Sequence, residues 1–185
     1  MIEAEVLGKY LVVEGLRKVE IIDVERTLNS IRARAGGCQS QVLDANMLAG
    51  FEHIYFAVLN ALKSFRSGLN ISKSLAIEMM TFASGQDQIR EAIEILGVKP
   101  GLQNIAVAVI ADRRDEALIA LNNILDLLGG ERDDGVIELT EEKIPAIVEK
   151  FNISNSELEA SMRGSLKDAL KNVIIERMAL LITQR

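Results

Sequence analysis

The strongest pattern in the chain is a run of apolar positions at helical spacing in its middle third. Phe51, Ile54, Tyr55, Val58, Leu62 and Phe65 follow three- and four-residue steps, which makes one broad apolar face. Asp44 or Asn46 is placed to start this helix, the pattern carries it to about Ser67, and Gly68 and Asn70 stop it. Ser72 predicts an N-cap for a second helix, Lys73 to Ala83. Its sequence, SLAIEMMTFA, is mostly apolar, so burial is expected, and Gly85 breaks it. A third helix runs from Asp87 to Leu96, with Gly97 where a C′ glycine belongs and Pro100 just beyond.

The flanks mix both periods. Residues 3–7 and 9–13 read as short strands of a hairpin around Gly8. Asp23 predicts the cap of a helix from Val24 to Arg34, ended by Gly36 and Gly37, and Gln39 to Leu43 reads as a strand. The apolar run from Asn104 to Ile110 predicts a central strand covered on both faces. A helix over 115–128 follows, then an acidic solvated loop over 131–135 and a short strand from Val136 to Leu139. Glu141, Glu142 and Pro145 place a helix start near Thr140, and that helix reaches about Phe151. Ser154 caps a short helix, and Ser165 begins the last one, to about Thr183. On it Leu166, Leu170, Val173, Arg177 and Leu181 share one face, while Ile175, Met178 and Ile182 make a second apolar face, as a partner site would. The whole predicts an α+β chain, residues 1–185 as a single domain, with a mixed β-sheet packed with helices and a helical C-terminus.

Composition narrows the class. With 49% hydrophobic and 26% charged residues, the chain is built to fold. Cys38 is the sole cysteine, so neither a disulfide within the chain nor a thiolate metal cluster is expected, and a reducing, cytoplasmic setting fits. The N-terminal sequence MIEAEVLGKY does not read as a signal peptide, and no apolar run is long enough to span a membrane.

Charge changes the picture more. The net charge is −6, yet no acid occurs between Glu52 and Glu78, a gap that holds Lys63, Arg66 and Lys73. A second acid-free stretch lies between Glu25 and Asp44 and carries Arg26, Arg32 and Arg34. The first cluster has two readings. It is either a solvated helix end, where cations suit the C-terminal dipole, or a phosphate contact assisted by Ser72 and the free amides of the next helix start. Catalytic chemistry finds little support. His53 is the single histidine, and its neighbour Glu52 points elsewhere on a helix, so a packing or hydrogen-bonding role is expected for it. An enzyme using Glu52, His53 and Asp44 would need those groups to converge in an open cleft. No HExxH, CxxC, GxGxxG or GxxxxGK[ST] motif occurs, and no metal or cofactor is implied.

The central segments DANMLAGFEHIYFAVLNALKSF, NISKSLAIEMMTFASG and QIREAIEILG, a signature over 44–97, resemble the tRNA-binding accessory subunit of the KEOPS complex, the PRPK-binding protein family. The resemblance implies a non-catalytic protein. In that family the complex makes threonylcarbamoyladenosine in tRNA, and the accessory subunit binds a kinase-like ATPase and captures the tRNA 3′ CCA end. With that role, RNA contacts are expected at Lys63, Arg66, Lys73 and Arg90, with Ser72, Ser84 and Gly85 shaping the pocket; the second apolar face of the C-terminal helix, around Ile175, Met178 and Ile182, is the surface expected to take the kinase-like partner. A protein-only scaffold for that partner is the alternative. Family members often carry Arg before the Gln-Ile of an SGxRQI pattern, and this chain has Asp87 there.

Overall fold

The computed structural model describes Met1–Gln184. Its contacts divide into two compact units, one from Met1–Ala45 with Gly97–Ile137, the other from Asn46–Leu96 with Glu138 onward.

The first unit is a sheet with helices. Strand β1 (Ile2–Val6) turns through Leu7 and Gly8 into β2 (Lys9–Ile21). Both turn residues have positive φ, 52° and 78°, the conformation of a tight two-residue hairpin. Helix α1 (Val24–Arg34) follows, capped by the Asp23 carboxylate on the Arg26 N–H at 2.9 Å. Strand β3 (Gln39–Asp44) takes one edge of the sheet and β4 (Gly101–Ala111) lies between β2 and β3, giving the order β1-β2-β4-β3. Every strand pair among the described residues is antiparallel, a narrower result than the mixed sheet expected. Residues Ile105 to Ala111 of β4 are all buried, so this strand is covered on both faces as its apolar run predicts. Helix α5 (Arg114–Leu128) packs on β2 and β4 and touches α1. Ile31, Leu121, Ile124, Val107 and Val109 meet in their shared core.

Three expectations fail along β2 and the segment 131–139. The short strand at 9–13 is only the first part of a 13-residue strand. Its register against β4 shifts between Leu16 and Val19, where Lys18 has φ 56°, and this bulge breaks the alternation that would have revealed the rest. The segment 131–135 is not a free loop. Glu131–Arg132 forms β5 against Leu16 and Arg17, the Asp133 N–H donates to the Gly15 carbonyl at 2.8 Å, and Asp134–Val136 is a 3-10 turn. Val136 to Leu139 is therefore no strand; Val136, Ile137 and Leu139 are buried from an irregular path.

The second unit is helical. It holds α2 (Phe51–Ser67), α3 (Leu75–Ser84), α4 (Ile89–Leu96), α6 (Ile144–Lys150), α7 (Asn155–Ala160) and α8 (Leu166–Leu181). Helix α2 packs on α3 and α8, and α3 packs on α4 and α8. α2 starts at Phe51, not near Asp44, because Gly50 holds φ 105° and ψ 177°, which no helix continues through; Ala45–Met47 makes a separate 3-10 turn. Helices α7 and α8 both open with capping boxes, Ser154 with Glu157 and Ser165 with Asp168. The Arg177 side chain then donates to Glu157 and to the carbonyls of Phe151 and Asn152, tying α8 to α7. The Ser154 amide, then Arg177 and the Ser154 hydroxyl, hold the Glu157 carboxyl down to about 2.

Candidate nucleic-acid interface

The cation-rich segment folds into the turn between α2 and α3. Gly68 ends α2 in the left-handed conformation, with φ 70°. The chain then loops from Leu69 to Ser74. The cap of α3 is Ser74, whose hydroxyl accepts the Ile77 N–H at 3.4 Å; the expected cap, Ser72, instead accepts the Ser74 N–H at 3.1 Å. The reason lies beneath the turn. Glu78 on α3 is wholly buried, and its carboxylate accepts the backbone N–H groups of Ile71 at 3.1 Å and Ser72 at 2.9 Å. Its other oxygen accepts the hydroxyl of buried Ser64 on α2 at 3.2 Å. The Asn70 side chain donates to the Ser72 carbonyl at 3.0 Å, closing the loop on itself.

This inner scaffold decides what faces outward. Lys63, Arg66 and Lys73 are exposed around the turn, and Leu69 and Ile71 are 43% and 44% exposed beside them in sequence. Neither Lys63 nor Lys73 forms an ion pair with a carboxylate among the described residues. Cations beside exposed aliphatic surface can hold phosphates and offer apolar contact to unstacked bases at one place.

The predicted RNA-binding residues fall into two groups. Lys63, Arg66, Ser72 and Lys73 gather on this turn. Ser84 and Gly85 lie at the other end of α3, a helix of 10 residues and so about 15 Å long, and Arg90 lies beyond it on α4. Ser84 is buried with its hydroxyl on the Thr81 carbonyl at 2.9 Å, Gly85 is the left-handed cap of α3, and Arg90 is exposed on α4. Sequence reasoning missed Glu78, Leu69 and Ile71. A lone carboxylate in an otherwise apolar, buried helix was the available signal, since such a group requires partners.

Residues weighed for catalysis take structural roles. His53 is buried; its Nδ1 accepts the Ala49 N–H at 3.2 Å, its Nε2 donates to the Ala83 carbonyl at 2.6 Å, and its ring meets Phe151 edge-on. Burial pushes the imidazole down to about 4 against the opposing pull of the Ala83 carbonyl. Both ring nitrogens are occupied, so an acid/base site with Glu52 and Asp44 loses its base. Glu52 itself is exposed and sits 3.7 Å from Lys171 Nζ. Burial, then Glu116 and Asp112, raise the Cys38 thiol, which disfavours the thiolate. Among the described residues no three His, Cys, Asp or Glu side chains cluster as a metal site would, and no helix is long and apolar enough to cross a membrane.

On α8, Met178 is 0% exposed and half-buried Ile175 and Ile182 flank it. The second apolar face is therefore not an exposed stripe. Met178 is a packing residue, and the accessible part of that side is the edge of Ile175 and Ile182, with exposed Ala179 between them on the helix.

The fold and this turn define an α+β protein with a cation-bearing surface organised by a buried carboxylate. The family model described as kinase binding protein CGI-121 matches residues 20–181, and the chain belongs to that family. The regulatory protein Cgi121 of Methanocaldococcus jannaschii is 37% identical over 117 residues, 63% of this chain and 72% of that protein. The KEOPS complex subunit Cgi121 of Pyrococcus abyssi is 30% identical over 113 residues, 58% of this chain and 64% of that protein. The match thus spans a little under two thirds of the Pyrococcus relative.

Proposed function

We propose that this chain is a non-catalytic subunit of a KEOPS-type assembly that binds a kinase-like ATPase and brings tRNA to it by the 3′ CCA end, for threonylcarbamoyladenosine formation. The observation that carries the RNA part is the α2–α3 turn, where exposed Lys63, Arg66 and Lys73 flank exposed Leu69 and Ile71 along the chain and buried Glu78 holds the loop amides. A single-stranded end offers phosphates and unstacked bases, which those two side-chain types match. Membership of a kinase binding family and the name of the Pyrococcus relative support the partner. The edge of α8 at Ile175 and Ile182 is the surface we assign to it.

The test is a gel-shift titration at fixed salt, with tRNA carrying or lacking its 3′ CCA. Binding that needs the CCA and weakens in Lys63→Glu and Lys73→Glu supports the reading. Absence of binding to either tRNA, alone or with the kinase-like protein present, leaves a protein-only scaffold.

A further inference from the structure

The acid-free stretch after Glu25 has no place in that reading. Helix α1 carries it on the first unit. Val24, Leu28, Ile31 and Ala35 turn inward to the core, which leaves Arg26 on the outward side with Asn29, Ser30 and Ala33, while Arg32 and Arg34 flank that strip. All three arginines are exposed. From Arg26 to Arg34 they span about 12 Å of helix axis.

Five of the other cations in the unit are paired with carboxylates, whereas Arg132 bonds to the Asn122 amide oxygen at 3.3 Å and Lys99 forms no ion pair among the described residues. Lys9 pairs with Asp112, Arg17 with Asp133 at 2.9 Å, Lys18 with Glu131 at 2.7 Å, Arg113 with Asp115 at 2.8 Å and Arg114 with Glu3 at 2.6 Å. On α1 the one side-chain bond from an arginine is Arg32 to the Asn29 amide oxygen at 3.3 Å, and no carboxylate reaches ion-pair distance of any of the three among the described residues. Asp23 is held as the helix cap. Helix electrostatics accounts for Arg32 and Arg34 in the last turn but not for Arg26, a cation in the first turn where the dipole opposes it.

We infer that the outward face of α1 is a second polyanion contact, one that takes the phosphate backbone of RNA at Arg26, Arg32 and Arg34 without reading its sequence or its end. Small side chains between the arginines let a sugar-phosphate strand approach the helix, and guanidinium groups match phosphate oxygens in pairs. The inference takes the identity of the polyanion from the proposed RNA binding, but its site and its test do not use the α2–α3 turn.

The experiment compares the full chain with the triple variant Arg26→Gln, Arg32→Gln, Arg34→Gln, titrating tRNA with and without the 3′ CCA across salt. Glutamine keeps helix propensity, and matching thermal melts check the fold. The triple variant should bind both tRNAs more weakly at low salt, with the slope of log affinity against log salt shallower by about 2, since each lost phosphate contact removes roughly 0.7–0.9. Its preference for the CCA-bearing tRNA should be unchanged. A slope and affinity equal to those of the unaltered chain would overturn the inference while leaving the turn's role standing. Binding that ignores the CCA yet falls in the triple variant would do the opposite, supporting the α1 contact and removing the turn's role. Loss of affinity for the kinase-like protein with tRNA binding intact would make α1 a protein contact and also overturn the inference.

Discussion

The carboxylate of Glu78 accepts the backbone N–H of Ser72 at 2.9 Å, although Glu78 sits inside an apolar helix and Ser72 belongs to the preceding loop. That bond and its neighbour to Ile71 tie the shape of a cation-bearing surface to the core of the helical unit. An ordinary cap would satisfy the first turn of α3 alone. This carboxylate instead reaches past the cap and satisfies loop amides as well as Ser64 on α2.

Glu78→Leu removes both acceptor oxygens at close to the same volume. The Ile71 and Ser72 amides then lose their acceptor, and the Ser64 hydroxyl loses its bond to this side chain. Leaving a buried donor unpaired costs about 1–3 kcal/mol, so the chain should unfold at lower denaturant concentration. The finer readout is amide hydrogen exchange. Ile71 and Ser72 should lose protection far more than the α2 amides. Unchanged exchange at those two positions would mean that the carboxylate does not organise the turn.

His53 links stability to pH. Its ordinary value is 6.5 and its folded value is about 4, because burial disfavours the imidazolium. The folded chain therefore refuses a proton that the unfolded chain accepts. The stabilisation from the neutral ring is fully present above pH 6.5 and is lost as pH falls from there to about 4. The shift corresponds to roughly 3 kcal/mol at most. Urea unfolding of the chain and of His53→Gln, taken between pH 8 and pH 5, should show the steeper fall in the histidine form. Parallel profiles would show that the ring titrates normally.

Much of the fold was legible where a local signal and the tertiary structure agree. Asp23, the Val24–Arg34 period and the glycines after it place α1 without any knowledge of the sheet. Ser154 and Ser165 mark their helices for the same reason. The failures are positions where distant parts of the chain decide. Glu14 and Gly15 do not read as strand interior, but β4 and β5 pair with the continuation of β2 and hold them there. Gly50 begins α2 through a backbone conformation that the apolar period does not report. At the turn, the cations were visible as a gap in the acids, whereas the groups beneath them required knowing that Glu78 meets the loop. The second apolar face of α8 does not survive because Met178, a surface position by helical period alone, is fully covered in the fold.

Burial of Met178 changes how a partner surface on α8 is tested. Met178→Glu places a charge at a fully buried site and should unfold the helical unit, since an unpaired buried charge costs several kcal/mol. Ala179→Glu is exposed and lies between Ile175 and Ile182, so it should leave the thermal melt within a few degrees. If the α8 edge is the contact, Ala179→Glu should still weaken co-purification with the kinase-like protein. A soluble, fully folded Met178→Glu protein would contradict the burial.

Gly15 and Gly36 separate two uses of glycine. A Cβ on Gly15 would lie 2.4 Å from the Asp133 carbonyl oxygen and 2.8 Å from Val136 Cγ2, so the backbone carrying β5 must move. That movement also breaks the Asp133 N–H bond to the Gly15 carbonyl at 2.8 Å and the Gly15 N–H bond to the Asp134 carboxylate at 3.0 Å. A Cβ on Gly36 meets nothing within 4 Å, and its only penalty is the positive φ of 60°. Left-handed backbone costs a non-glycine residue roughly 1–2 kcal/mol, while overpacking with two lost bonds should exceed about 3 kcal/mol. Denaturant midpoints of Gly15→Ala and Gly36→Ala should therefore differ, with Gly15→Ala the less stable. Equal midpoints would show that the segment from Glu131 to Val136 yields without cost and is not held by the bulged strand.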